Sequence, residues 1–446
     1  MDLRVAVFVG SVLASGCFSP ESGPGQDTEA TGSSGTETGA QTQPADGTTS
    51  EGGATETTAV TSVDSTMTTG TPEGCTDAST CPGGEVCEDA MCMPCQDASD
   101  PDAACADADA QTPYCDGAGT CVACLADTCD GATPTCDPQV GCVPCTEHAQ
   151  CPDSACHLLG PFAGTCFDAS EVVPIADIAA LETAFMALAP GDNAVFDLAP
   201  GTYEVSGFFT SVADELAILG HGAATITGGA TNVVATNQTL YVAGLGIVTG
   251  PFRVFSCGNP GRLWIDDTTI VDYVMPVTTS CETHVRRSFV MGTDTTIDAQ
   301  GATVFVENSA IVAAPTAGLA LTDSLVDIRY ANIIGAGNGI TCSDGASGSV
   351  RNSMVVSTSG FVSVDPACGL DFANNAVGPN AQGVDVGDYD PSWFVSPGSG
   401  DLHLSASGQA TFAGIAQWEE DDPLVDADGD ARPQDAPGYP GLDEVP

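Results

Sequence analysis

The chain is predicted to be all-β: a right-handed parallel β-helix with an N-terminal cap helix, preceded by a small disulfide-rich module and a disordered tether. Three observations carry this expectation. Branched apolar residues recur about every 22 positions through the second half, and a mostly Ser/Thr/Asn column runs two residues ahead of them. Sixteen of the 21 cysteines crowd into residues 75–166, after a stretch that is almost entirely Gly, Ser, Thr, Glu and Pro.

The register sets the fold. Ile226, Ile247, Ile270, Val290, Ile311, Ile334, Val355 and Val377 stand 21, 23, 20, 21, 23, 21 and 22 residues apart. Leu245, Thr268, Ser288, Ser309, Asn332, Ser353 and Asn375 precede the last seven by two. Residues two apart on a strand share a face, so an Ile/Val stack lies beside a polar stack. A coil this short cannot bury its own inner face. Stacking the next coil about 4.8 Å away completes the core. The polar column is expected to hydrogen-bond from residue to residue up the stack, since an unpaired buried hydroxyl or amide costs on the order of 1–3 kcal/mol. Leucine-rich repeats have a similar period but need a Leu-rich consensus, which is absent.

In chain order, residues 1–16 carry Arg4, then an uncharged apolar run over 5–13, then Ala14, Ser15 and Gly16 before Cys17. The run is too short to span a bilayer and reads as an export signal. Residues 17–74 cannot bury enough apolar surface to offset their ordering entropy, so they read as a disordered acidic linker with a reach of about 40 Å. Residues 75–168 repeat as four units of four cysteines: 75/81/87/92, 95/105/115/121, 124/129/136/142 and 145/151/156/166. With only Tyr114, Phe162 and Phe167 as aromatics, disulfides must stand in for a core. Paired CxxC motifs also suit zinc, but export and the extra cysteines inside each unit favour disulfides.

The β-helix is expected over 169–390. It opens with an amphipathic helix at 178–188 (IAALETAFMAL), closed by Pro190-Gly191, and the strand–turn–strand GDNAVFDLAPGTYEV. A closing segment occupies 391–446. Cys257 and Cys281 lie ten and eleven residues after Ile247 and Ile270. That puts them at nearly equivalent places on stacked coils, within disulfide reach, for a stabilisation of roughly 3 kcal/mol. Cys342 and Cys368 are left to each other, which needs a bulging loop.

Three resemblances add to this. LASGC resembles the lipobox of bacterial lipoproteins. That implies cleavage before Cys17, acylation of Cys17 and, with Phe18 following, sorting to the outer membrane. The cysteine units resemble repeats of bacterial surface lipoproteins and, loosely, the Dickkopf-type fold, which implies a spacer or protein-binding module. The cap helix, PGTYEV, the rungs VENSAIV and VRNSMVV, and the tail PGSGDLHLSASG with DADGDARPQDAPGYPGLDE resemble the pectin-lyase-like superfamily. That resemblance implies that Asp428, Gly429 and Arg432 belong to a segment sealing the last coil. The superfamily mixes lyases, hydrolases, esterases and non-catalytic adhesins, so it speaks for fold and not for activity.

Charge excludes some partners. Eight basic residues, all Arg, face sixty acidic ones for a net −52, and after Arg4 the next cation is Arg253. Such a polyanion cannot neutralise phosphates, so nucleic acids and anionic headgroups are excluded as partners. The candidate catalytic group is Asp266, Asp267, Arg286 and Arg287, with His284 nearby. Asp267 and Arg287 are twenty apart and should stack within contact. Resemblance to uronate lyases of this fold implies carboxylates holding Ca²⁺ and an Arg abstracting a proton. RLWIDDTTI resembles the pectate-lyase WIDH segment, with Asp267 in the place of His. The plainer reading is a surface ion pair between coils, and a uronate polymer would be repelled unless Ca²⁺ mediated.

No metal site is expected elsewhere. Asp426-Ala-Asp428-Gly-Asp430 has Ala431 and Pro437 where an EF-hand needs Gly and Glu. His148, His157, His221 and His403 form no metal-spaced pair and read as surface or turn residues. No GxSxG, HExxH, P-loop or Rossmann fingerprint occurs. The function expected is therefore lipid-anchored, surface-exposed display at the bacterial outer membrane, with non-catalytic binding of an extracellular polysaccharide or surface protein. The alternative is a polysaccharide lyase or glycoside hydrolase.

Overall fold

The computed structural model describes residues 81–444, apart from 82–84, 126–127, 131, 207–208, 229–232, 237, 249, 251–252, 314 and 380. The export signal expected at 1–16, the lipidation site Cys17, the tether expected at 17–74 and Cys75 lie outside the described residues. No described helix is long and apolar enough to cross a membrane.

Strands of successive coils stack in parallel into three sheets, giving a parallel β-helix. The first sheet rises through nine strands from Asn193–Leu198 to Gly369–Ala373, with Val172–Ile175 added at its lower edge. The second runs from Gly201–Glu204 to Ala376–Val377, extended by Val384–Asp385, and the third from Phe209–Ser211 to Asn338–Ser343. Alternation decides which side chains go in. Leu263 and Ile265 point into the first sheet's core, as do Val285, Val306, Ile328 and Val350 above them, all essentially solvent-free. Arg262, Trp264 and Asp266 therefore face outward. The helix Ile178–Ala187 is N-capped by Asp177, whose side chain accepts the Ala180 N–H at 2.8 Å. It drives Leu181 and Phe185 against the first coil, where Phe185 meets Phe196 edge-on and stacks on Phe209.

The inward column of the second sheet is Ile226, Ile247, Ile270, Val290, Ile311, Ile333, Val355 and Val377. One assignment made from the sequence is corrected: Ile333, not Ile334, occupies the sixth place. With Ile333 the last three steps are all 22 residues. A slip of one residue moves a side chain to the opposite face, and Ile334 packs outward with Met354, Val356, Trp393 and Phe394. Asn332 leaves the polar column for the same reason, and Ala331 takes its place.

The polar column bonds to backbone rather than from side chain to side chain. The Thr268 N–H donates to Ser288 Oγ and the Ser288 N–H to Ser309 Oγ, each at 3.1 Å. Each hydroxyl then donates to the carbonyl two residues earlier, Ser288 to Arg286 at 2.6 Å and Ser309 to Glu307 at 2.7 Å. Higher up, the Ala331 N–H meets Ser353 Oγ and the Ser353 N–H meets Asn375 Oδ1. Just before this column the chain turns between sheets at residues with positive φ: Asp267, Arg287, Asn308, Tyr330, Asn352 and Asn374, at 44–56°.

In the cysteine-rich module the second, third and fourth units share one pairing, first to third and second to fourth. The bonds are Cys95–Cys115, Cys105–Cys121, Cys124–Cys136, Cys129–Cys142, Cys145–Cys156 and Cys151–Cys166. Cys81–Cys92 is the second-to-fourth bond of the first unit. Cysteine triplets close enough to hold a metal, such as Cys95, Cys105 and Cys115, are thus consumed by disulfides. In the coils, Cys257 joins Cys281 with Cα atoms 5.7 Å apart, and Cys342 joins Cys368 at 4.9 Å. Cys257 sits opposite Thr279, so Cys281 lies two positions beyond the equivalent place and not level with it.

The C-terminal segment departs from expectation. It runs along the side of the coils instead of sealing the last one. Trp393, Phe394, Leu402, Leu404 and Phe412 cover the outward column Ala310, Met354 and Ala376 of the second sheet. Those small and apolar outward residues leave a face that needs a cover.

Candidate functional site

Asp266 ends the strand Arg262–Asp266 facing outward, and Asp267 follows at the bend with φ 46°. One coil above, Arg286 stands level with Asp266, and Arg287 occupies the bend with φ 44°. The structure brings three of the four candidates into one network but pairs them differently from the sequence expectation. Arg287 reaches back to Asp266, not Asp267: Nε donates to Oδ1 at 3.0 Å and Nη2 to Oδ2 at 2.7 Å. Its long side chain leaves the bend diagonally and meets the carboxylate before the bend one coil below. Its Nη1 donates to Glu147 of the fourth cysteine unit at 2.8 Å. Arg286 lies 3.6 Å from Glu147 and 3.3 Å from Glu307, with its guanidinium 5.2 Å over the Trp264 ring.

Electrostatics follow from this packing. Asp266 is only 2% exposed. Burial works against the Arg287 charge, but the hydrogen bonds and attraction of Asp266, then Glu147, outweigh it and hold Arg287 above the usual arginine range. Partial burial, then the Asp266 charge, raises the exposed Asp267, with Arg287 opposing. His284 is apart from this network. It stacks between Trp264 at 4.6 Å and Phe305 at 4.3 Å, bonded to Glu282 at 3.0 Å, and burial lowers its pKa against the pull of Glu282.

Glu147 arrives because the fourth cysteine unit docks on the outer face of the first sheet. Ala155, Leu159 and Phe167 pack on Val195, Ala217, Leu219, Tyr241 and Trp264. His157 stacks on Phe167 at 3.7 Å and meets Glu215 at 2.5 Å, while the Tyr241 hydroxyl donates to the Leu159 carbonyl at 3.1 Å. Between unit and sheet lies a cleft of about 570 Å³ lined by Glu147, His148, Asp197, Asp266, Asp267 and Arg287.

His148 and His157 are therefore interface residues, buried to 8% and 5% exposure, and not the surface residues expected from the sequence. His148 Nδ1 accepts the Cys156 N–H at 3.1 Å, so the neutral ring carries its proton on Nε2. Burial first, aided by Arg286 and Arg287 against Asp266, pushes His148 down to about 4. A depressed histidine opposes folding once the unfolded chain protonates. Its cost begins below a pH of about 6.5 and is complete near the folded pKa of about 4. The unfolding free energy of wild type minus that of His148→Gln should fall by about 3 kcal/mol across that window. A difference that stays flat with pH would contradict the buried neutral ring.

Chemically, the cleft can hold a polar ligand, and two of the four candidates that line it, Asp266 and Arg287, are committed to each other. A lyase using Arg as base needs a guanidinium whose pKa is lowered, and Arg287 is raised. Both Asp266 oxygens are occupied, leaving Asp267 the open carboxylate of the four candidates. Further along the sheet, Arg329 pairs with Asp327 and Asp421, and Arg351 with Glu419, Asp421 and Asp422. In the C-terminal segment Asp426 is fully buried and accepts the N–H groups of Asp428, Asp430 and Glu444, so the DADGD run is a closed turn. His221 is exposed and bonded to Asp197 at 2.8 Å. His403 bridges Asp401 at 2.6 Å and Asp428 at 2.7 Å. The hydrogen bond to Asp401, opposed by burial and aided by Asp428, raises it to about 9.

Glu147 and His148 were not singled out from the sequence as site residues. The one available signal was that both histidines of the cysteine-rich region, His148 and His157, fall in its last unit.

Comparison with known proteins adds little at the site. A family described as "Family of unknown function (DUF8331)" matches residues 60–172, which spans the cysteine-rich region. No curated protein matches. Among solved structures, the chain is similar to a mutant of the PL6 family alginate lyase AlyGC, at 11% identity and a TM-score of 0.15. That match covers 54% of this chain and 56% of the other, so the chain spans little more than half the length of that structure.

Proposed function

We propose that the protein is a lipid-anchored display protein of the bacterial surface, whose β-helix binds an extracellular polysaccharide or surface protein without catalysis. The observation that carries this reading is the use made of the arginines. Arg262, Arg286, Arg287, Arg329, Arg351 and Arg432 are each paired with a carboxylate. Five of them tie an outlying segment to the coils: Arg286 and Arg287 the fourth cysteine unit, Arg329, Arg351 and Arg432 the C-terminal segment. They act as clasps, which is a structural task. The second reading, a polysaccharide lyase or hydrolase, rests on the cleft and its open Asp267, beside which Arg287 is already held by Asp266 and Glu147.

Anchoring at Cys17 is supported by LASGC alone, and several acyl chains on one residue would hold the protein stably. The test uses the intact protein. Wild type should enter the detergent phase and Cys17→Ser should lose most of that partitioning. The soluble Cys17→Ser protein is then applied to a glycan array read for both binding and depolymerisation. Binding without shortened chains is the expected result. Depolymerisation would replace the reading with the enzymic one, and equal partitioning of the two forms would remove the anchor.

A further inference from the structure

The cleft beneath the fourth cysteine unit contains a donor that the protein leaves without an acceptor. His148 lines it at 8% exposure, and its Nε2 has no hydrogen-bond partner among the described residues. Nδ1 is taken by the Cys156 N–H at 3.1 Å, so Nε2 carries the ring proton. Asp266 lines the same cleft but gives both its oxygens to Arg287. A buried N–H with nothing to receive it is a standing cost until an acceptor arrives. A metal ion is not that group. Binding one at Nε2 would move the proton to Nδ1, against the Cys156 N–H.

The rest of the lining selects the charge and shape of what enters. Asp197, Leu219, Ala243 and Asp266 stand level on four consecutive coils, an aliphatic strip with a carboxylate at each end. At the spacing of stacked strands the strip runs about 14 Å, which suits a short oligosaccharide. Glu147, Asp153 and Asp267 add three more carboxylates, against the one guanidinium of Arg287. His221 is bonded to Asp197 at 2.8 Å. An anionic ligand is therefore repelled. An ammonium or guanidinium ligand has no lone pair to offer His148. A hydroxyl can accept from that ring and donate to the open carboxylate of Asp267 at once.

We propose that this cleft is the sugar-binding site and takes an uncharged saccharide, whose hydroxyls accept from His148 Nε2 and donate to Asp267 while its C–H face lies on Leu219 and Ala243. The proposal rests on the reading above, non-catalytic binding of a polysaccharide, and narrows it to neutral chains. The volume of about 570 Å³ falls within the range of small-molecule sites. The site needs both parts of the protein, since His148 comes from the cysteine-rich unit and Asp267 from the coils. Docking of that unit thus completes a pocket that the bare β-helix does not have.

The test applies the soluble, oxidised Cys17→Ser protein to an array of neutral, uronate and amino-sugar glycans, then titrates the best-retained glycan by calorimetry. A neutral glycan should be retained, with an affinity that stays level between low and high salt. His148→Asn keeps an acceptor for the Cys156 N–H but loses the Nε2 donor. Asp267→Asn removes the charge at a positive-φ position that Asn tolerates. Each should weaken binding by roughly 10-fold. Melting curves identify a variant that misfolds, and Asp267→Asn, at an exposed bend, is the one to rely on if His148→Asn does. Undiminished binding by folded Asp267→Asn would overturn the proposal and leave glycan binding standing elsewhere on the coils. Retention of uronate or amino-sugar glycans alone would overturn it in the same way. Retention of no glycan would remove polysaccharide from the wider reading as well.

Discussion

Replacing Arg287 with alanine is expected to lower stability by about 3–5 kcal/mol, because it leaves the Asp266 carboxylate buried with no counter-charge. Asp266 is 2% exposed and takes two charge-assisted bonds from that guanidinium, at 3.0 and 2.7 Å. The same change frees Glu147 from its shortest partner and so loosens the fourth cysteine unit. The double variant Asp266→Asn, Arg287→Met removes both charges and should cost far less than the single change, since the penalty belongs to the orphaned charge. Chemical denaturation of the four proteins of this cycle gives the coupling. Additive losses would mean that the pair is a loose surface contact, as its position on a solvent-facing strand first suggests.

Arg432→Met should produce a loss of similar size, about 3–5 kcal/mol, but confined to the C-terminal segment. Arg432 is 3% exposed, with its guanidinium 3.7 Å over the Tyr330 ring. It donates to Asn308 Oδ1 at 2.9 Å and the Gly441 carbonyl at 3.2 Å, and pairs with Glu444 at 3.5 Å. Methionine keeps the packing stem but leaves Glu444 and Asn308 without their partner. Hydrogen exchange should show amides of 425–444 losing protection while those of the first-sheet core keep theirs, a local rather than a global opening. Loss of protection throughout the coils would show that the segment and the β-helix unfold as one unit.

Much of the fold was legible because a coil repeats its own local pattern. Inward Ile and Val and the polar column two residues ahead recur within every coil, and the cap helix is written in one short amphipathic stretch. The error fell where the pattern was degenerate. Asn332-Ile333-Ile334 offers two isoleucines for one inward place, and only pairing with Ile311 and Val355 chooses between them. The bends were less visible, since Arg287 and Tyr330 are unusual residues for positive φ.

The site was legible only in part, for a physical reason. Asp266, Asp267, Arg286 and Arg287 could be grouped from their spacing, because neighbouring coils bring residues about twenty apart together. Glu147 reaches the same place from 140 residues upstream, and no local period connects a cysteine unit to a coil. The exposed-looking histidines failed similarly. A polar ring in a loop-rich module reads as surface until the sheet that buries it is known. What a charge does also depends on its partners: the same Arg is a base candidate when free and a clasp when two carboxylates hold it.

The most direct test of the clasp reading is a product assay on uronate polymers, with and without Ca²⁺, using wild type beside the folded Asp266→Asn, Arg287→Met protein. Lyase action leaves an unsaturated sugar end that absorbs in the ultraviolet. Neither protein should generate that absorbance, and both should show the same binding to any polymer that wild type retains. Unsaturated ends formed by wild type and missing from the folded double variant would contradict the account, and would make Arg287 a catalytic residue.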